Sequence, residues 1–501
     1  MTDAPGMIQT IAIIGTGTMG RGIAQTLAVA GFDVLVFDQR AEAAKEAVAF
    51  AAQMLDRAVE KGRMAGPDAQ AAKARLSVAA SLNDLAPADM AIEAIAEVLE
   101  AKQGLFAQLE GILSNDAVLA TNTSSLSVSG IAAGVEKPAR VVGLHFFNPV
   151  PLMKVVEVIP GLRSDDTARD AALAVAEKIG YRAIVCKDAP GFLINHAGRG
   201  LLTEGIRIVQ DCLATEADID RVMRDAAGFR MGPFELLDLT GLDVSLPVLQ
   251  LIHGQFYGEP RYRPGVHLAA RVAAGLHGRK TGEGFYRYED GRRADPEEFL
   301  PAQTQLPKVH VPPGMQTDLA GLIAALTATH VEMSDTSKGA LTLIAPYGWD
   351  ATETALRLGL DPAQVMAIDP MTADSARVTI MPTLATEANL ADGLHHALLR
   401  AGKQVTCIAD SPGFIAQRML AMIVNIGCEI AQMQIASPLD IDDGVRLGLG
   451  YPKGPLALGD DLGPQRVLAI LNALQEQTGD PRYRPSQYLR QRARLGLPLK
   501  E

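Results

Sequence analysis

The stretch Ile11-Ala-Ile-Ile-Gly-Thr-Gly-Thr-Met-Gly20 indicates the fold with which the chain begins. An apolar run of strand length enters a glycine-rich turn, and the segment from Met19 to Ala30 has helical spacing. A second apolar run, Val34 to Phe37, ends in Asp38. Asp38 lies 18 residues after Gly20. This order of strand, glycine-rich turn, helix, strand and acidic residue is the pattern of a dinucleotide-binding βαβ unit.

Each position of this pattern has a physical role. Gly15 makes the tight turn, Gly17 lets the backbone approach a pyrophosphate, and Gly20 lets the helix pack closely on the strand. The start of the helix offers unpaired N–H groups to the phosphates. Asp38 would accept a hydrogen bond from the ribose 2′-hydroxyl and repel a 2′-phosphate, so the predicted cofactor is NAD rather than NADP. The residues expected to contact it here are Gly15, Gly17, Thr18, Met19, Gly20 and Asp38.

The composition is that of a globular protein with about three domains, since 48% of the 501 residues are hydrophobic and 21% are charged. The net charge of −12 disfavours general binding to nucleic acid or anionic membranes. The four cysteines form no CxxC pair, which predicts reduced thiols and a cytoplasmic protein. No metal site is expected. No signal peptide is expected, because the first residues carry no positive charge and their apolar run is only of strand length, and no membrane span is expected, because no stretch of about 18 apolar residues occurs.

Strand-like and helix-like segments alternate from the start of the chain to about Lys187. The later strand candidates are Met90–Ile95, Val118–Thr121, Val141–Phe146, Val155–Ile159 and Ile184–Cys186. This alternation predicts an α/β fold, a Rossmann-type doubly wound sheet that is mostly parallel with helices on both faces. From Leu193 onward the apolar spacing is helical, which predicts an all-helical domain after the sheet.

The second half of the chain repeats motifs of the first half at a nearly constant offset. Asp188-Ala-Pro-Gly-Phe192 recurs, at an offset of 222, as Asp410-Ser-Pro-Gly-Phe414. Three further pairs keep nearly the same spacing: Asp218–Asp220 with Asp440–Asp442, Gly232–Pro233 with Gly454–Pro455, and Glu259–Pro264 with Asp480–Pro485. We therefore predict that the helical domain is duplicated.

The predicted organisation has five segments. They are an NAD-binding Rossmann-type domain (1–188), a helical substrate or dimerisation domain (189–300), a linker (301–315), a degenerate α/β segment (316–409) and a second helical domain (410–501). The segment 316–409 has α/β character, with strand candidates at Val378–Pro382 and Val405–Ile408. It contains no glycine-rich phosphate loop, so we interpret it as a shortened relic of the first half that does not bind the cofactor.

Several motifs between Glu93 and Tyr286 carry a family resemblance, in the family's order and close to its spacing. They are Glu93-Ala-Ile-Ala-Glu97, Asn122-Thr-Ser-Ser125, His145-Phe-Phe-Asn-Pro149, Val156-Glu-Val158, Asp188-Ala-Pro-Gly-Phe192 with Asn195, and Gly278-Arg-Lys-Thr-Gly-Glu-Gly-Phe-Tyr286. The N-terminal part of the chain resembles the 3-hydroxyacyl-CoA dehydrogenases, and the whole length resembles the long bacterial members, some of which act on 3-hydroxybutyryl-CoA or 3-hydroxyadipyl-CoA. The resemblance implies NAD-dependent oxidation of (S)-3-hydroxyacyl-CoA to 3-oxoacyl-CoA, in fatty-acid β-oxidation or in the breakdown of aromatic compounds such as phenylacetate.

The candidate acid–base pair is His145 with Glu157. Imidazole titrates near working pH, and His145 follows a strand at the edge of the sheet where ligands bind. Glu157 would hold the far ring nitrogen and stabilise the imidazolium. The resemblance implies that the two side chains meet. It also implies that Ser124 and Asn195 hydrogen-bond the substrate near its reacting oxygen.

The remaining site predictions concern the cofactor and coenzyme A. Glu97, Lys102 and Asn122 match family positions that line the nicotinamide and its ribose. Lys61 and Arg57, on the long helix predicted after Asp38, are candidates for binding the phosphates of coenzyme A.

The repeat provides an internal control. At an offset of 222, Asn195 corresponds to Gln417 and Glu157 to Thr379, and Met366-Ala-Ile-Asp-Pro370 contains no histidine. We therefore predict one active site per chain, in the first half. The second helical domain is expected to pack on the first as two chains of a short family member pair, and a homodimer of the whole chain is also consistent with the sequence.

Two alternatives stay open at this point. The chain could be an NAD-dependent dehydrogenase of a free hydroxy acid or sugar acid on the same scaffold, or a non-catalytic NAD-binding scaffold protein. The acyl tail is also open. A basic side chain in the pocket would favour an adipyl tail, and Arg199, Arg207 and Arg230 are the candidates in the helical domain.

Overall fold

The computed structural model of the chain describes residues 8–302, 304–305 and 307–501. Its strands are β1 (Thr10–Ile14), β2 (Asp33–Phe37), β3 (Leu76–Val78), β4 (Met90–Glu93), β5 (Val118–Thr121), β6 (Val141–Phe146), β7 (Val155–Pro160), β8 (Arg182–Val185), β9 (Arg287–Glu289), β10 (Arg292–Ala294), β11 (Val309–His310), β12 (Met333–Ser334), β13 (Leu341–Ile344), β14 (Val365–Ile368), β15 (Arg377–Pro382) and β16 (Gln404–Cys407).

The α-helices of the first part of the chain are α1 (Thr18–Val29), α2 (Ala41–Glu60), α3 (Gly66–Ala74), α4 (Leu99–Ile112), α5 (Val128–Ala132), α6 (Asp166–Lys178), α7 (Ile194–Ala197), α8 (Arg199–Gln210), α9 (Glu216–Asp225), α10 (Pro233–Thr240), α11 (Leu242–Gln255) and α12 (Val266–Ala273). Those of the remainder are α13 (Ala320–Ala328), α14 (Ala351–Arg357), α15 (Ala388–Arg400), α16 (Ile415–Gln432), α17 (Pro438–Leu449), α18 (Pro455–Leu462), α19 (Pro464–Thr478) and α20 (Gln487–Leu495).

Two compact units make up the chain. The first contains the described residues up to His196 together with Met433–Leu449, and the second contains Ala197–Gln432 with Gly450–Glu501. These units divide the chain differently from the five predicted segments, because α17 packs with the N-terminal unit although its sequence lies in the second helical repeat. The segment boundaries at 188, 300, 315 and 409 stay predictions about the sequence.

The first unit is built on a doubly wound sheet in the order β3-β2-β1-β4-β5-β6-β7-β8. Neighbouring strands run parallel, except that β6 and β7 are antiparallel. Strands β4 and β5 are buried at every position, which agrees with the apolar residues at the first three positions of each. The strand order reverses between β1 and β4, and such a switch point opens a crevice at the carboxyl edge where ligands bind. The predicted Rossmann-type fold is therefore confirmed.

The second unit contains a shorter sheet in the order β12-β11-β13-β14-β15-β16. Its last four strands repeat the pattern of β5 to β8, because β13 and β14 are parallel, β14 and β15 antiparallel, and β15 and β16 parallel. The predicted strands at 378–382 and 405–408 correspond to β15 and β16.

The predicted linker is corrected in part. β11 lies inside it and pairs with β12 and β13. Val309 and Val311 are both buried, and this alternation is typical of a strand that the flanking prolines obscured. Gln303 and Leu306 of the predicted linker lie outside the described residues.

The two helical repeats pack on each other in the second unit through α8 and α16. A Cβ on Gly200 would lie 2.9 Å from the Cα of Ile423, so the two helices cross at backbone contact. Gly205 packs on Pro233, and Gly427 packs on Pro455 in the same way. These two contacts are related by the offset that the sequence motifs share, so the predicted duplication is also visible in the packing.

None of the described helices is by itself long and apolar enough to cross a membrane. Only α10 and α11 taken together, across a bend of 107°, have the length and composition for it.

Candidate active site

The turn between β1 and α1 has the shape that the glycine pattern predicts. Gly15 has a φ of +95°, and a Cβ there would lie 2.6 Å from the carbonyl oxygen of Ala94. A Cβ on Gly20 would overlap the carbonyl oxygen of Gly15, so only glycine at this position lets α1 pack this closely on β1. A Cβ on Gly17 would meet nothing within 4 Å. The open space at Gly17 leaves room for a pyrophosphate, and the turn therefore fits a dinucleotide.

Asp38 follows β2 and lies beside this turn. Its Oδ2 accepts hydrogen bonds from the backbone N–H of Thr16 (3.0 Å) and the hydroxyl of Thr16 (2.7 Å), and its Oδ1 accepts one from the N–H of Arg40 (3.0 Å). Partial burial opposes ionisation of Asp38, but the hydrogen bonds from Arg40 and Thr16 outweigh it and lower the pKa. A carboxylate has about four acceptor positions, so one remains for a ribose hydroxyl.

A buried ion pair lies at the next strand end, and the sequence reasoning missed its acidic member. Glu93 ends β4 with no exposed surface, and its Oε1 accepts hydrogen bonds from Nζ of Lys102 (2.6 Å) and the N–H of Ile95 (2.7 Å). Its Oε2 accepts one from the hydroxyl of Thr121 (2.7 Å). The available signal was a carboxylate at the end of a buried apolar strand, since such a charge requires a partner.

Glu97 organises the loop after β5. Its Oε1 accepts hydrogen bonds from the hydroxyl of Thr123 (2.5 Å), the N–H of Ser124 (2.9 Å) and the hydroxyl of Ser125 (2.9 Å). Its Oε2 lies 3.0 Å from Nζ of Lys102. Burial opposes ionisation of Glu97, but the ammonium of Lys102 and these hydroxyls lower its pKa. The predicted residues Glu97, Lys102 and Ser124 therefore lie in one connected network.

Asn122 belongs to the same edge, between β5 and β6. Its side-chain carbonyl accepts a hydrogen bond from the N–H of Phe146 at 2.8 Å. This bond fixes the amide plane beside the end of β6, next to His145 in sequence. Asn122 therefore joins the loop that Glu97 organises to the strand that carries the histidine.

His145 and Glu157 face each other across the antiparallel strands β6 and β7. Nδ1 of His145 lies 2.6 Å from Oε2 of Glu157, and the side chains are 6% and 0% exposed. Directly opposed residues on adjacent strands project to the same face, so the strand register itself brings the pair together. The rings of Phe147 and Phe192 lie 4.4 and 5.8 Å from the imidazole and limit its access to water.

The second carboxylate oxygen of Glu157 is held by backbone. Oε1 accepts hydrogen bonds from the N–H groups of Leu193 (3.0 Å) and Ile194 (2.8 Å), at the start of α7. Asn195 follows directly, and its side-chain amide donates to the carbonyl of Ser124 at 3.4 Å. The structure therefore places Ser124, Asn195, His145 and Glu157 in one neighbourhood.

The repeated Asp-x-Pro-Gly-Phe motif has a capping role at its aspartate. Asp188 accepts hydrogen bonds from the hydroxyl of Ser127 and the N–H groups of Val128 and Ser129, all at 2.7–3.0 Å, at the first turn of α5. Its counterpart Asp410 likewise accepts from the N–H groups of Ala351 (2.8 Å) and of its neighbour Thr352 (3.2 Å) at the start of α14. In both halves, the aspartate of the motif therefore caps the first turn of a helix.

A cavity of about 710 Å³ lies between α1, α2 and the loop after β6 in the first unit. Its lining includes the two predicted coenzyme A residues, Arg57 and Lys61. Four basic side chains that were not predicted share the cavity: Arg21, Arg63, Lys154 and Lys178. Three of the six cations lie over aromatic rings, Arg21 over Phe50, Lys154 over Tyr181 and Lys178 over Phe32. The cavity is thus electropositive and suits a phosphorylated ligand.

The corresponding place in the second sheet has different chemistry. The N–H of Asp369 donates to the carbonyl of Thr379 (3.0 Å), so Asp369 stands opposite Thr379 where His145 stands opposite Glu157. The amide of Gln417 donates to Oδ1 of Asp369 at 3.0 Å. Burial raises the pKa of Asp369 to about 6. The second half thus has an aspartate, a threonine and a glutamine in place of the histidine, glutamate and asparagine of the first.

The class of protein that this fold and this strand edge define is the NAD-dependent dehydrogenases. Comparison with known families gives the same class. The family model described as "3-hydroxyacyl-CoA dehydrogenase, NAD binding domain" matches residues 10–189. The model described as "3-hydroxyacyl-CoA dehydrogenase, C-terminal domain" matches twice, at residues 191–288 and 413–500. The chain belongs to the 3-hydroxyacyl-CoA dehydrogenase family, and it is an NAD-dependent oxidoreductase.

Individual relatives cover either the whole chain or its first half. A 3-hydroxyadipyl-CoA dehydrogenase of Escherichia coli (strain K12) is 37% identical over 497 residues, which are 97% of this chain and 98% of the relative. A probable 3-hydroxybutyryl-CoA dehydrogenase of Bacillus subtilis is 42% identical over 284 residues, 56% of this chain and 98% of the relative. The crystal structure of a 3-hydroxybutyryl-CoA dehydrogenase from Escherichia coli K12 superposes with a TM-score of 0.86 at 35% identity, covering 98% of this chain and 99% of that one.

Proposed function

We propose that the chain oxidises (S)-3-hydroxyacyl-CoA to 3-oxoacyl-CoA, with His145 as the general base and Glu157 as the residue that orients it. The observation that carries the proposal is the buried contact between His145 Nδ1 and Glu157 Oε2 at 2.6 Å. A carboxylate at Nδ1 favours the tautomer with its proton there, which leaves Nε2 to accept the hydroxyl proton of the substrate. NAD, when bound, supplies the acceptor for the hydride that leaves the same carbon.

The proton chemistry of the pair follows from its burial. As Nε2 takes the proton, the ring becomes an imidazolium, and the facing carboxylate stabilises that charge in a site with little water. The two N–H groups that bind Oε1 of Glu157 keep the carboxylate aligned with the ring. General base catalysis of this kind contributes about 10²–10⁴-fold to the rate.

Ser124 and Asn195 are proposed to hydrogen-bond the substrate near its reacting oxygen. Their mutual contact at 3.4 Å and their position beside Glu97 and His145 support this role. Glu97, Lys102 and Asn122 are proposed to line the nicotinamide and its ribose, with Gly15, Gly17, Thr18, Met19, Gly20 and Asp38 binding the rest of the dinucleotide. Preorganised polar groups of this kind stabilise charge that develops in the transition state.

The electropositive cavity is proposed to bind the phosphates of coenzyme A through Lys61 and Arg57. Both side chains lie on or directly after α2 and line the cavity together with four further cations. Lysine and arginine bind phosphate oxygens through charge-assisted hydrogen bonds. Because the adenosine end of coenzyme A carries several phosphate charges, a cavity of this charge favours the thioester over a free hydroxy acid.

The substrate tail is proposed to be short or to end in a carboxylate, since the relatives are described as acting on 3-hydroxybutyryl-CoA or 3-hydroxyadipyl-CoA. Of the three candidate cations for a carboxylate tail, Arg207 is paired with Asp211 and Asp480, Arg230 is exposed, and Arg199 is buried. The pathway would then be fatty-acid β-oxidation or the breakdown of aromatic compounds such as phenylacetate. A cytoplasmic location, the absence of nucleic-acid or membrane partners and a homodimer stay predictions.

The proposal is tested by following NADH oxidation with acetoacetyl-CoA and with free acetoacetate. We expect turnover of the thioester and none of the free acid, because only the thioester reaches the electropositive cavity. Comparable turnover of free acetoacetate would contradict the proposal. Comparing kcat/KM for 3-hydroxybutyryl-, 3-hydroxyhexanoyl- and 3-hydroxyadipyl-CoA then assigns the tail.

A further inference from the structure

One helix of the second repeat belongs to the compact unit that contains His145. The segment Met433–Leu449, which includes α17, packs with the N-terminal unit. The N–H of Lys187 donates to the carbonyl of Ile435 at 2.8 Å. Arg182 forms ion pairs with Asp440 (2.6 Å) and Asp443 (3.2 Å). These bonds fasten α17 to the end of the sheet that leads into α7.

The face of α17 toward α7 contains two glycines one turn apart. A Cβ on Gly444 would lie 2.9 Å from Cδ2 of Leu193. A Cβ on Gly448 would lie 2.8 Å from Cδ1 and 2.9 Å from Cγ2 of Ile194. Real Cβ atoms do not approach other atoms so closely, so a larger residue in place of Gly444 or Gly448 must displace the side chain of Leu193 or Ile194.

Leu193 and Ile194 are the residues whose N–H groups bind Glu157. We infer that Gly444 and Gly448 are positioning residues for catalysis, because they let α17 support the two N–H groups that align Glu157 against His145. The inference rests on the proposed function of the His145–Glu157 pair. It assigns a role in the reaction to the second repeat, which itself has no counterpart of the histidine.

The backbone of the turn before α7 has a restricted conformation. Gly191 and Phe192 precede Leu193 with φ values of +72° and +50°. For Phe192 this left-handed conformation is already unfavourable, so the turn is held by its surroundings. A methyl group at Gly448 meets Cγ2 of Ile194, which is bonded to Cβ of a β-branched residue with little freedom to rotate. We therefore expect the N–H group of Ile194 to shift relative to Oε1 of Glu157.

The test compares Gly448→Ala and Gly444→Ala with Gly111→Ala in the full-length protein. Gly111 lies in α4, and a Cβ there would meet nothing within 4 Å, so it controls for the effect of alanine in a helix. We expect kcat for acetoacetyl-CoA reduction to fall about tenfold in the α17 variants, with KM and NADH affinity within about twofold of wild type. The acid side of the pH profile for alcohol oxidation should move to lower pH, because a less well-aligned carboxylate stabilises the imidazolium less.

A second variant separates positioning from loss of folding. Ile194→Val removes the Cδ1 atom nearest to the new methyl group, so adding it to Gly448→Ala should restore part of kcat and of the pH profile. Unchanged kcat and pH profile in both α17 variants would overturn the inference, and so would a parallel loss of kcat, NADH binding and melting temperature with no recovery in the double variant. If His145→Gln keeps full turnover, the proposed function itself fails, and that result does not depend on α17.

Discussion

Nδ1 of His145 lies 2.6 Å from Oε2 of Glu157, and the two residues are direct partners in the register of β6 and β7. The chain between them forms the end of one strand, a loop and the start of the next. The pair is therefore positioned by backbone hydrogen bonds of a buried sheet, which are more rigid than a loop. This arrangement suits a base whose orientation determines its efficiency.

Replacing His145 by Gln should reduce kcat by about 10²–10⁴-fold, because glutamine cannot accept the substrate proton. NADH binding, measured by fluorescence quenching, should stay within about threefold of wild type, since no contact of the glycine turn changes. A variant that keeps more than a tenth of wild-type turnover would remove His145 from the mechanism.

Replacing Asp38 by Asn should weaken NADH binding and improve NADPH binding. The hydroxyl and backbone N–H of Thr16 would lose a charged acceptor, and the repulsion of a 2′-phosphate would disappear. We expect the preference for NADH over NADPH, measured as a ratio of Kd values, to fall about tenfold or more, because a charge-assisted hydrogen bond is worth about 1.5–3 kcal/mol. Thr16→Val serves as a control that leaves the charge in place, and an unchanged ratio in Asp38→Asn would contradict the assignment.

Replacing Glu93 by Gln should destabilise the protein, because Lys102, whose side chain is 1% exposed, would lose the carboxylate that lies 2.6 Å from its Nζ. Breaking a buried pair costs about 3–5 kcal/mol, and the remaining contact to Glu97 should reduce this to about 2 kcal/mol. Asp56→Asn is the matched control, since its ion pair with Lys73 is partly exposed and should contribute under about 1 kcal/mol. Urea denaturation measures the free energy of unfolding of both variants. Equal losses in the two variants would show that Glu93 does not stabilise the buried Lys102.

Replacing Lys61 and Arg57 together by Met should raise KM for acetoacetyl-CoA about tenfold and change kcat little, because the phosphates lie far from the reacting carbon. The loss should shrink at high salt, which screens the interaction in the wild type. Lys45→Met, on the exposed surface of the same helix, is the control and should leave KM unchanged. If the double variant has the wild-type KM at low salt, coenzyme A binds elsewhere.

Asp369 should make stability depend on pH. Its pKa is raised to about 6 by burial, from an ordinary value of 3.8, so the folded state holds the proton more tightly than the unfolded state does. The protonated Asp369 therefore makes its full contribution to the free energy of unfolding below pH 3.8, and this contribution is lost as the pH rises to about 6. Asp369→Asn lacks this dependence. The free energy of unfolding of the variant minus that of wild type should therefore rise by about 2 kcal/mol between pH 4 and pH 7. A constant difference across that range would contradict the assignment.

The sequence alone predicted the features that depend on short stretches of chain. The glycine turn with its flanking strand and helix lies between Ile11 and Asp38, and local geometry determines the arrangement of these elements. His145 and Glu157 were predicted through their motifs and a short separation. The duplication was evident because both repeats retain the same turn and cap residues, such as Asp188 and Asp410.

The tertiary structure alone decided the relationships that join distant parts of the chain. No pattern around Glu157 indicates that its second carboxylate oxygen binds the N–H groups of Leu193 and Ile194, which lie 36 and 37 residues further along the chain. Nothing in the local pattern of α17 assigns it to the unit that contains His145, because that depends on Gly444 and Gly448 meeting side chains from the first half of the chain. Packing between such distant segments is set by shape and charge in three dimensions, and neither periodicity nor spacing along the chain records it.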